Sequence, residues 1–100
     1  MNVTDHPERE RYEIHVDGSL AGFAEYRGRK ETRTFTHTEI DERFEGQGVG
    51  SRLVHDALED ARAKGLKVIP MCPFVKAYMA RHPEYLDLVD PRLRHAFGLD

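Results

Sequence analysis

The stretch that decides the fold is Glu45-Gly46-Gln47-Gly48-Val49-Gly50-Ser51, a glycine-rich turn between a strand-like run and an amphipathic helical pattern. Glycine lets the backbone adopt positive φ angles and approach a ligand closely. The first amides of a helix have no partner within the helix and lie at the positive end of its dipole. Phosphate oxygens suit both features. The turn therefore indicates an anionic cofactor, although the glycines are also compatible with a plain tight connection.

The helix after this turn is amphipathic. From Gly50 to Lys64 the apolar residues recur at helical spacing, and Gly65 is a natural C-terminal stop. The threonine-rich run Thr32–Ile40 before the turn and the short run Leu66–Met71 after the helix are both strand-like. A helix between two strands predicts a right-handed β-α-β crossover with parallel strands. The glycine turn then lies at the carboxyl edge of the sheet, where ligands commonly bind.

Two earlier runs predict further strands. The alternation over Arg11–Val16 and the run Leu20–Tyr26 join Thr32–Ile40 in a three-stranded antiparallel meander. Residues 1–8 are polar and predict a frayed N-terminus. A second helix is predicted over Pro73–Arg81, since a proline suits the first helical position. The predicted fold class is therefore mixed α/β.

The composition excludes several classes of protein. The chain has 100 residues, of which 39% are hydrophobic and 33% charged, and its net charge is -3. These values are typical of a single globular domain over residues 1–100, and they give no basic field for nucleic acid. No apolar run approaches the roughly 20 residues of a membrane span, and the first residues do not resemble a signal peptide. We therefore expect a cytoplasmic protein that binds neither membranes nor nucleic acid.

Cys72 and Tyr78 are two candidate catalytic residues. Cys72, the only cysteine, comes directly before Pro73, where the start of a helix would favour the thiolate. Unpaired cysteine is also among the residues most often buried, so a structural role is the alternative. Tyr78 on the second helix can act as a general acid or pack in the core.

His37 and Glu39 form a second candidate pair. The two-residue period of the strand Thr32–Ile40 places them on one face together with Phe35. The pair can act as a general base or simply form part of a solvated face. The histidines show no metal-ligand spacing with one another or with carboxylates, so no metal site is predicted.

The order of these elements resembles the central part of the GNAT acetyltransferase superfamily, from Thr38 to Tyr78. The pyrophosphate loop of that superfamily has the pattern Gln/Arg-x-x-Gly-x-Gly/Ala, to which Glu45-Gly46-Gln47-Gly48-Val49-Gly50 is similar. The runs His37-Thr38-Glu39-Ile40 and Val68-Ile69-Pro70-Met71-Cys72-Pro73-Phe74, with His82-Pro83, look like the small single-domain GNAT-like proteins. The implied fold is a GNAT fold truncated relative to larger members.

The resemblance implies an N-acetyltransferase that uses acetyl-coenzyme A (acetyl-CoA) and an amine acceptor. It implies that the pyrophosphate is held by backbone amides of the loop, namely those of Gln47, Gly48, Val49, Gly50 and Ser51. It also implies that pantetheine runs beside Ile40, whose amide polarises the thioester carbonyl. Tyr78 is the nearest match to the general acid of many members. Cys72 suggests another route, in which its thiol first accepts the acetyl group, and both routes stay open.

Two departures from the superfamily pattern affect these expectations. Glu45 stands where Gln or Arg is usual, and because its carboxylate would repel a pyrophosphate, we expect the side chain to turn away. The chain also lacks the segments that enclose the acceptor in larger members, which implies an open site suited to a protein lysine or chain terminus. An open site equally suits a catalytically weak acyl-CoA-binding or interaction module. A nucleotide-binding protein is disfavoured, since no Lys-Ser/Thr pair follows the glycines.

Overall fold

The computed structural model describes all 100 residues and contains one five-stranded sheet with strands in the order of the chain. The strands are β1 (Asn2–His6), β2 (Arg11–Val16), β3 (Ser19–Gly28), β4 (Thr32–Ile40) and β5 (Lys67–Pro70), and the helices are α1 (Val49–Ala63), α2 (Pro73–Arg81) and α3 (Pro91–Arg94). The first four strands are antiparallel, whereas β4 and β5 are parallel. The predicted α/β fold, with its parallel β-α-β unit, is confirmed.

The N-terminus is a strand, so the prediction of a frayed segment is wrong. β1 pairs antiparallel with β2 and places Val3 opposite Ile14. Because β1 contains a single apolar residue among polar ones, its local sequence gives a weak strand signal. Pairing with the buried strand β2 determines its structure instead, and the meander has four strands where three were predicted.

Helix α1 covers one face of the sheet with its apolar stripe. The buried residues of this stripe are those that the helical period predicts: Leu53, Val54, Ala57, Leu58 and Ala61. Leu53 and Leu58 are fully buried, and burial of a leucine contributes roughly 2 kcal/mol. α1 is also the longest helix, at 15 residues, and no helix of the protein combines the length and hydropathy that crossing a bilayer requires.

The sequence predicts one face of β4 for Phe35, His37 and Glu39, but a bulge in this strand puts Phe35 on the opposite face. Tyr26 of β3 faces Phe35 while Glu25 faces His37, which leaves Thr36 as an extra residue on β4. An extra residue reverses the alternation of side chains between the two faces. Phe35 therefore lies in the core at 1% exposure, whereas His37 lies on the opposite, open face.

A partly buried polar cluster joins the meander to α1. The Tyr12 hydroxyl donates to Asp60 of α1 at 2.6 Å, and the Tyr26 hydroxyl donates to Asp5 of β1 at 2.6 Å. Arg33 of β4 donates to the Tyr12 hydroxyl from the other side. Burial and the hydrogen bond to Asp60 raise the pKa of Tyr12 above its usual value, so the phenol stays neutral and remains a donor. These bonds tie α1 to β2, and β3 to β1.

Glu13 of β2 is a buried carboxylate on the open face. Its side chain is 4% exposed and is covered by its own partners: Arg9 and Arg11 each donate at 2.8 Å, and His6 lies 3.3 Å away. Burial opposes ionisation of Glu13, but the hydrogen bonds from Arg11 and Arg9 outweigh it and lower the pKa of the carboxyl. Ionised Glu13 therefore contributes stability above its ordinary pKa, and this contribution is lost as the pH falls through the lowered value.

We expect Glu13→Gln to lower the free energy of unfolding by about 1 to 3 kcal/mol near neutral pH, because it leaves Arg9 and Arg11 without their charged acceptor. The difference from the parent protein should shrink at an acidic pH below the lowered pKa of Glu13, because the carboxyl is then protonated in the parent protein as well. Urea denaturation at both pH values measures this. The control is Glu25→Gln, on the same face and without an ion pair, and a difference that is constant with pH would contradict the assignment.

Candidate active site

The glycine turn holds a row of amides that have no protein acceptor. Gly46 and Gly48 have φ values of 79° and 76°, which side chains disfavour, and α1 begins directly after them. The amide of Arg52 donates to the Gly48 carbonyl, but the amides from Gly46 to Ser51 donate to no protein group. These N–H groups lie at the positive end of α1. The local geometry is that of an anion site.

The third glycine is needed for a different reason. Gly50 lies inside α1, where a Cβ would come 2.7 Å from the ring of Phe74 and 3.5 Å from Cγ1 of Ile40. Phe74 is in the first turn of α2 and is 41% exposed. Gly50 therefore lets α1, α2 and the end of β4 come together at one point.

β4 and β5 are paired only over the first part of β4. Their last paired residues are Phe35 and Pro70, and β4 continues to Ile40 without a partner on that side. The amide of Asp41 donates to the Ala21 carbonyl of β3 at 2.8 Å. Because successive amides of a strand point to opposite sides, the amide of Ile40 points away from β3 and into the gap.

The loop and the gap meet in one groove. A cavity of about 270 Å³ brings together five of the predicted cofactor-binding residues: Ile40, Gly48, Val49, Gly50 and Ser51. Gln47 does not line it, and its side-chain amide donates to the Arg43 carbonyl at 3.3 Å. Glu45 lines the cavity and its side chain makes no hydrogen bond or ion pair. The groove can therefore offer backbone donors from the loop and from Ile40.

Cys72 lies at the closed end of the gap. Its amide donates to the Phe35 carbonyl at 2.9 Å, and its sulfur is 3.4 Å from the hydroxyl of Thr38. The residue is 3% exposed and lines none of the cavities. Its position matches the prediction at the start of α2, but its surface is covered by protein.

His37 and Glu39 lie together on the open face. His37 Nε2 is 3.7 Å from Glu39 Oε1, and the two side chains are 53% and 60% exposed. Glu39 also lines a larger cavity of about 500 Å³, which Ile40 shares with the groove beside the loop. A carboxylate is thus present on the far side of Ile40 from the glycine turn.

Tyr78 lies away from the groove. Its ring stacks on His82 with 4.1 Å between centroids and lies 6.1 Å from the ring of Tyr85. Burial, and then the charge of Glu84, raise the pKa of Tyr78. Its hydroxyl makes no hydrogen bond with protein, and the residue lines none of the cavities. The structure does not bring Tyr78 to Ile40. No group of three or more His, Cys, Asp or Glu side chains has an arrangement that could hold a metal ion.

Comparison with known proteins agrees with this geometry. The family model of the GCN5-related N-acetyltransferases matches residues 11–88. The chain belongs to this family. The NMR structure of a GCN5-like protein from Staphylococcus aureus shares the fold, with a TM-score of 0.68 and 24% identity over 89% of this chain and 87% of that one.

A second solved structure gives a partial match to the GCN5-related domain. It is the crystal structure of Ard1 from Thermoplasma volcanium, with a TM-score of 0.52 and 28% identity. The alignment covers 59% of this chain and 41% of Ard1, so it spans less than half of that protein. No match to a protein of curated function was found.

Gly22 is a residue of the site that sequence reasoning missed. It lies opposite Ile40 in β3, and an added Cβ would come 2.6 Å from both the Glu39 carbonyl oxygen and Cδ1 of Ile40. A glycine inside a strand is a sequence signal for such a close approach. Phe74 was missed as well, because its contact with Gly50 joins two helices and leaves no local pattern.

We expect Gly22→Ala to destabilise this GCN5-related domain, since Ile40 and the β4 backbone must move to admit the methyl group. Overpacking of this kind costs roughly 1 to 3 kcal/mol. Thermal unfolding monitored by circular dichroism measures the effect. Gly28→Ala in the same strand is the matched control, because the nearest atom to its Cβ is 4.0 Å away. Equal stability of the two variants would contradict the close approach at Ile40.

Proposed function

We propose that this protein is an acetyl-CoA-dependent N-acetyltransferase that acts on an amine acceptor. The observation that carries the proposal is the groove that is lined both by the glycine turn, whose amides from residue 46 to residue 51 have no protein acceptor, and by Ile40, whose amide faces the gap beside β4. A diphosphate and a thioester carbonyl at opposite ends of one extended molecule would satisfy both sets of donors. Family membership supports the same reaction class.

The residues present fit this cofactor. The amides from Gln47 to Ser51 would hold the pyrophosphate, and the gap beside Thr38 and Ile40 would receive pantetheine as an extra strand. When bound, the cofactor supplies an acetyl group activated as a thioester. The Ile40 amide is fixed by the sheet, so it can donate to an oxygen that gains negative charge without further reorganisation. Glu45 is exposed and contributes no attraction, which leaves binding to the main chain.

The open face supplies groups that can take the acceptor proton. Glu39 lies beside Ile40 in the larger cavity, and His37 is 3.7 Å from it. An amine that is protonated in solution gives up two protons in this reaction. A base takes the first before attack, and the second leaves the nitrogen as the new C–N bond forms and the C–S bond breaks, so it can pass to the departing CoA thiolate. Glu39, with His37 as its neighbour, is the base within reach of that position. Tyr78 has no such access, so we assign it a structural role in the packing of α2.

Burial of Cys72 supports direct transfer over a cysteine relay. A relay requires the sulfur to reach the thioester and then to present its acetyl group to the acceptor, but the residue is 3% exposed and its sulfur contacts Thr38. Direct transfer needs only alignment of the two substrates, which can lower the barrier by several kcal/mol. We therefore place Cys72 as a packed residue that closes the end of the gap.

A charge placed at residue 48 tests the anion site. Asp and Asn tolerate the positive φ of Gly48 better than other side chains, and they differ in charge but little in shape. We expect Gly48→Asp to weaken acetyl-CoA and CoA binding at least about tenfold relative to Gly48→Asn, because its carboxylate would face the pyrophosphate. Isothermal titration calorimetry measures both. Gly65→Asp, at a positive φ at the far end of α1, should bind normally; equal affinity of the Gly48→Asp and Gly48→Asn variants would remove the basis of the proposal.

Cys72→Ala distinguishes the two routes of transfer. If transfer is direct, we expect the variant to keep most of its rate with an amine acceptor, and the parent protein to carry no acetyl group after incubation with acetyl-CoA. Intact-mass spectrometry and the rate of CoA release measure these, with circular dichroism to check folding. Acetyl on Cys72 together with loss of transfer in the variant would establish the relay. Normal CoA binding without transfer to any amine would favour a catalytically weak binding module.

A further inference from the structure

Two rows of side chains cross the open face of the sheet, one beside the other. The strand pairing places Glu13 of β2, Phe23 of β3 and Glu39 of β4 opposite one another. The row next to it contains, in the same strand order, Arg11, Glu25 and His37. Side chains on one face of a sheet contact their direct and diagonal neighbours on the adjacent strands. Phe23 is therefore within reach of Arg11 on one side and of His37 on the other.

Glu13 determines where the Arg11 side chain lies. Arg11 is opposite Glu25 in the strand register, but its Nε donates to Glu13 at 2.8 Å. The side chain of Glu13 is 4% exposed, and that of Arg11 is 24% exposed. An ion pair that protein covers to this extent is screened by solvent and salt much less than an exposed one. The pair therefore holds the guanidinium along β2, beside the row that contains Phe23.

The guanidinium of Arg11 covers one face of the Phe23 ring. Its Cζ is 4.6 Å from the ring centroid, and a cation over an aromatic face at this range is attracted to the π-electrons of the ring. On the β4 side, the ring lies 6.2 Å from the imidazole of His37, with 60° between their planes. This is the edge-to-face arrangement that aromatic pairs prefer. The position of Arg11 thus fixes the ring, and the ring limits the positions open to His37.

His37 has few restraints of its own. Its side chain is 53% exposed, and its ion-pair contact is with Glu39 Oε1, 3.7 Å from Nε2. An exposed side chain can change rotamer unless its neighbours exclude the alternatives. A base must also lie within hydrogen-bonding reach of the proton that it takes. The contact with Phe23 therefore bears on catalysis, because it keeps the imidazole beside Glu39.

We infer that Arg11 is a positioning residue for the proposed base. Glu13 fixes its guanidinium, the guanidinium fixes the ring of Phe23, and the ring keeps His37 beside Glu39. The inference rests on the proposed function and adds to it an ion pair on β2, two strands away from the proposed base. Neither member of the ion pair lines the groove beside the glycine turn. Loss of either one therefore lowers the rate of transfer without weakening cofactor binding.

Arg11→Gln tests the arrangement by NMR, without an assay of transfer. The variant removes the cation and keeps most of the side-chain stem. We expect the nuclear Overhauser effects between the rings of Phe23 and His37 to be lost and the His37 ring signals to shift. Arg11→Lys retains the positive charge and should keep part of these contacts. Arg27→Gln, which changes an exposed arginine of β3, is the matched control and should leave both rings unchanged. Unchanged ring contacts in Arg11→Gln would overturn the inference.

Transfer kinetics test the consequence for the reaction, at a temperature where circular dichroism shows every variant folded. With acetyl-CoA and butylamine, Arg11→Gln and Glu13→Gln should each lower kcat at least about threefold through misplacement of the base. The KM for acetyl-CoA should stay unchanged, and Arg27→Gln should keep the parent kcat. The double variant should be no slower than the slower single variant, because both substitutions act through one ring.

Two outcomes separate the inference from the proposed function. Loss of the ring contacts in Arg11→Gln with an unchanged kcat would overturn the inference alone. Absence of transfer by the parent protein would count against the proposed function, and the NMR result would still decide whether Arg11 holds the two rings in place.

Discussion

The separation of β4 from β5 is the constraint on which the rest of the site depends. The two strands are paired only as far as Phe35 and Pro70, and the amide of Cys72 closes the last bond between them. Beyond it, main-chain groups of β4 that would normally bind a neighbouring strand face an open gap. An unpaired strand edge is a template for another extended chain. The fold thus leaves a binding edge on β4 where β5, the last strand of the sheet, ends.

Three glycines allow other elements to pack at the open end of this gap. Gly48 lets the chain reverse into α1, so the free amides of the helix point at the end of the gap. Gly50 admits the ring of Phe74, and Gly22 admits the side chain of Ile40. Gly48 is therefore required by the backbone conformation, whereas Gly50 and Gly22 are required by close packing. A single side chain at Gly50 or Gly22 would displace Ile40 or its neighbours, which couples stability to the geometry of the site.

Much of the fold could be predicted from the sequence because its signals are local. The apolar stripe of α1 follows the helical period, and the helix between two strand-like runs forces a parallel crossover. The features that sequence reasoning missed depend on distant partners. β1 is a strand because β2 is beside it, and the bulge at Thr36 arises from the register with β3. Likewise, the local sequence does not tell which side of α2 meets α1, so it left open whether Tyr78 reaches the groove.

An NMR titration of the ¹⁵N-labelled protein with acetyl-CoA tests the central claim most directly. Because the free amides of the loop and of Ile40 are expected to gain acceptors, the largest shifts should occur together at residues 46–51 and at Ile40, while the amides at the far end of α1 stay unchanged. Shifts confined to another surface, or at the loop without Ile40, would contradict the account that one extended thioester contacts both the loop and Ile40.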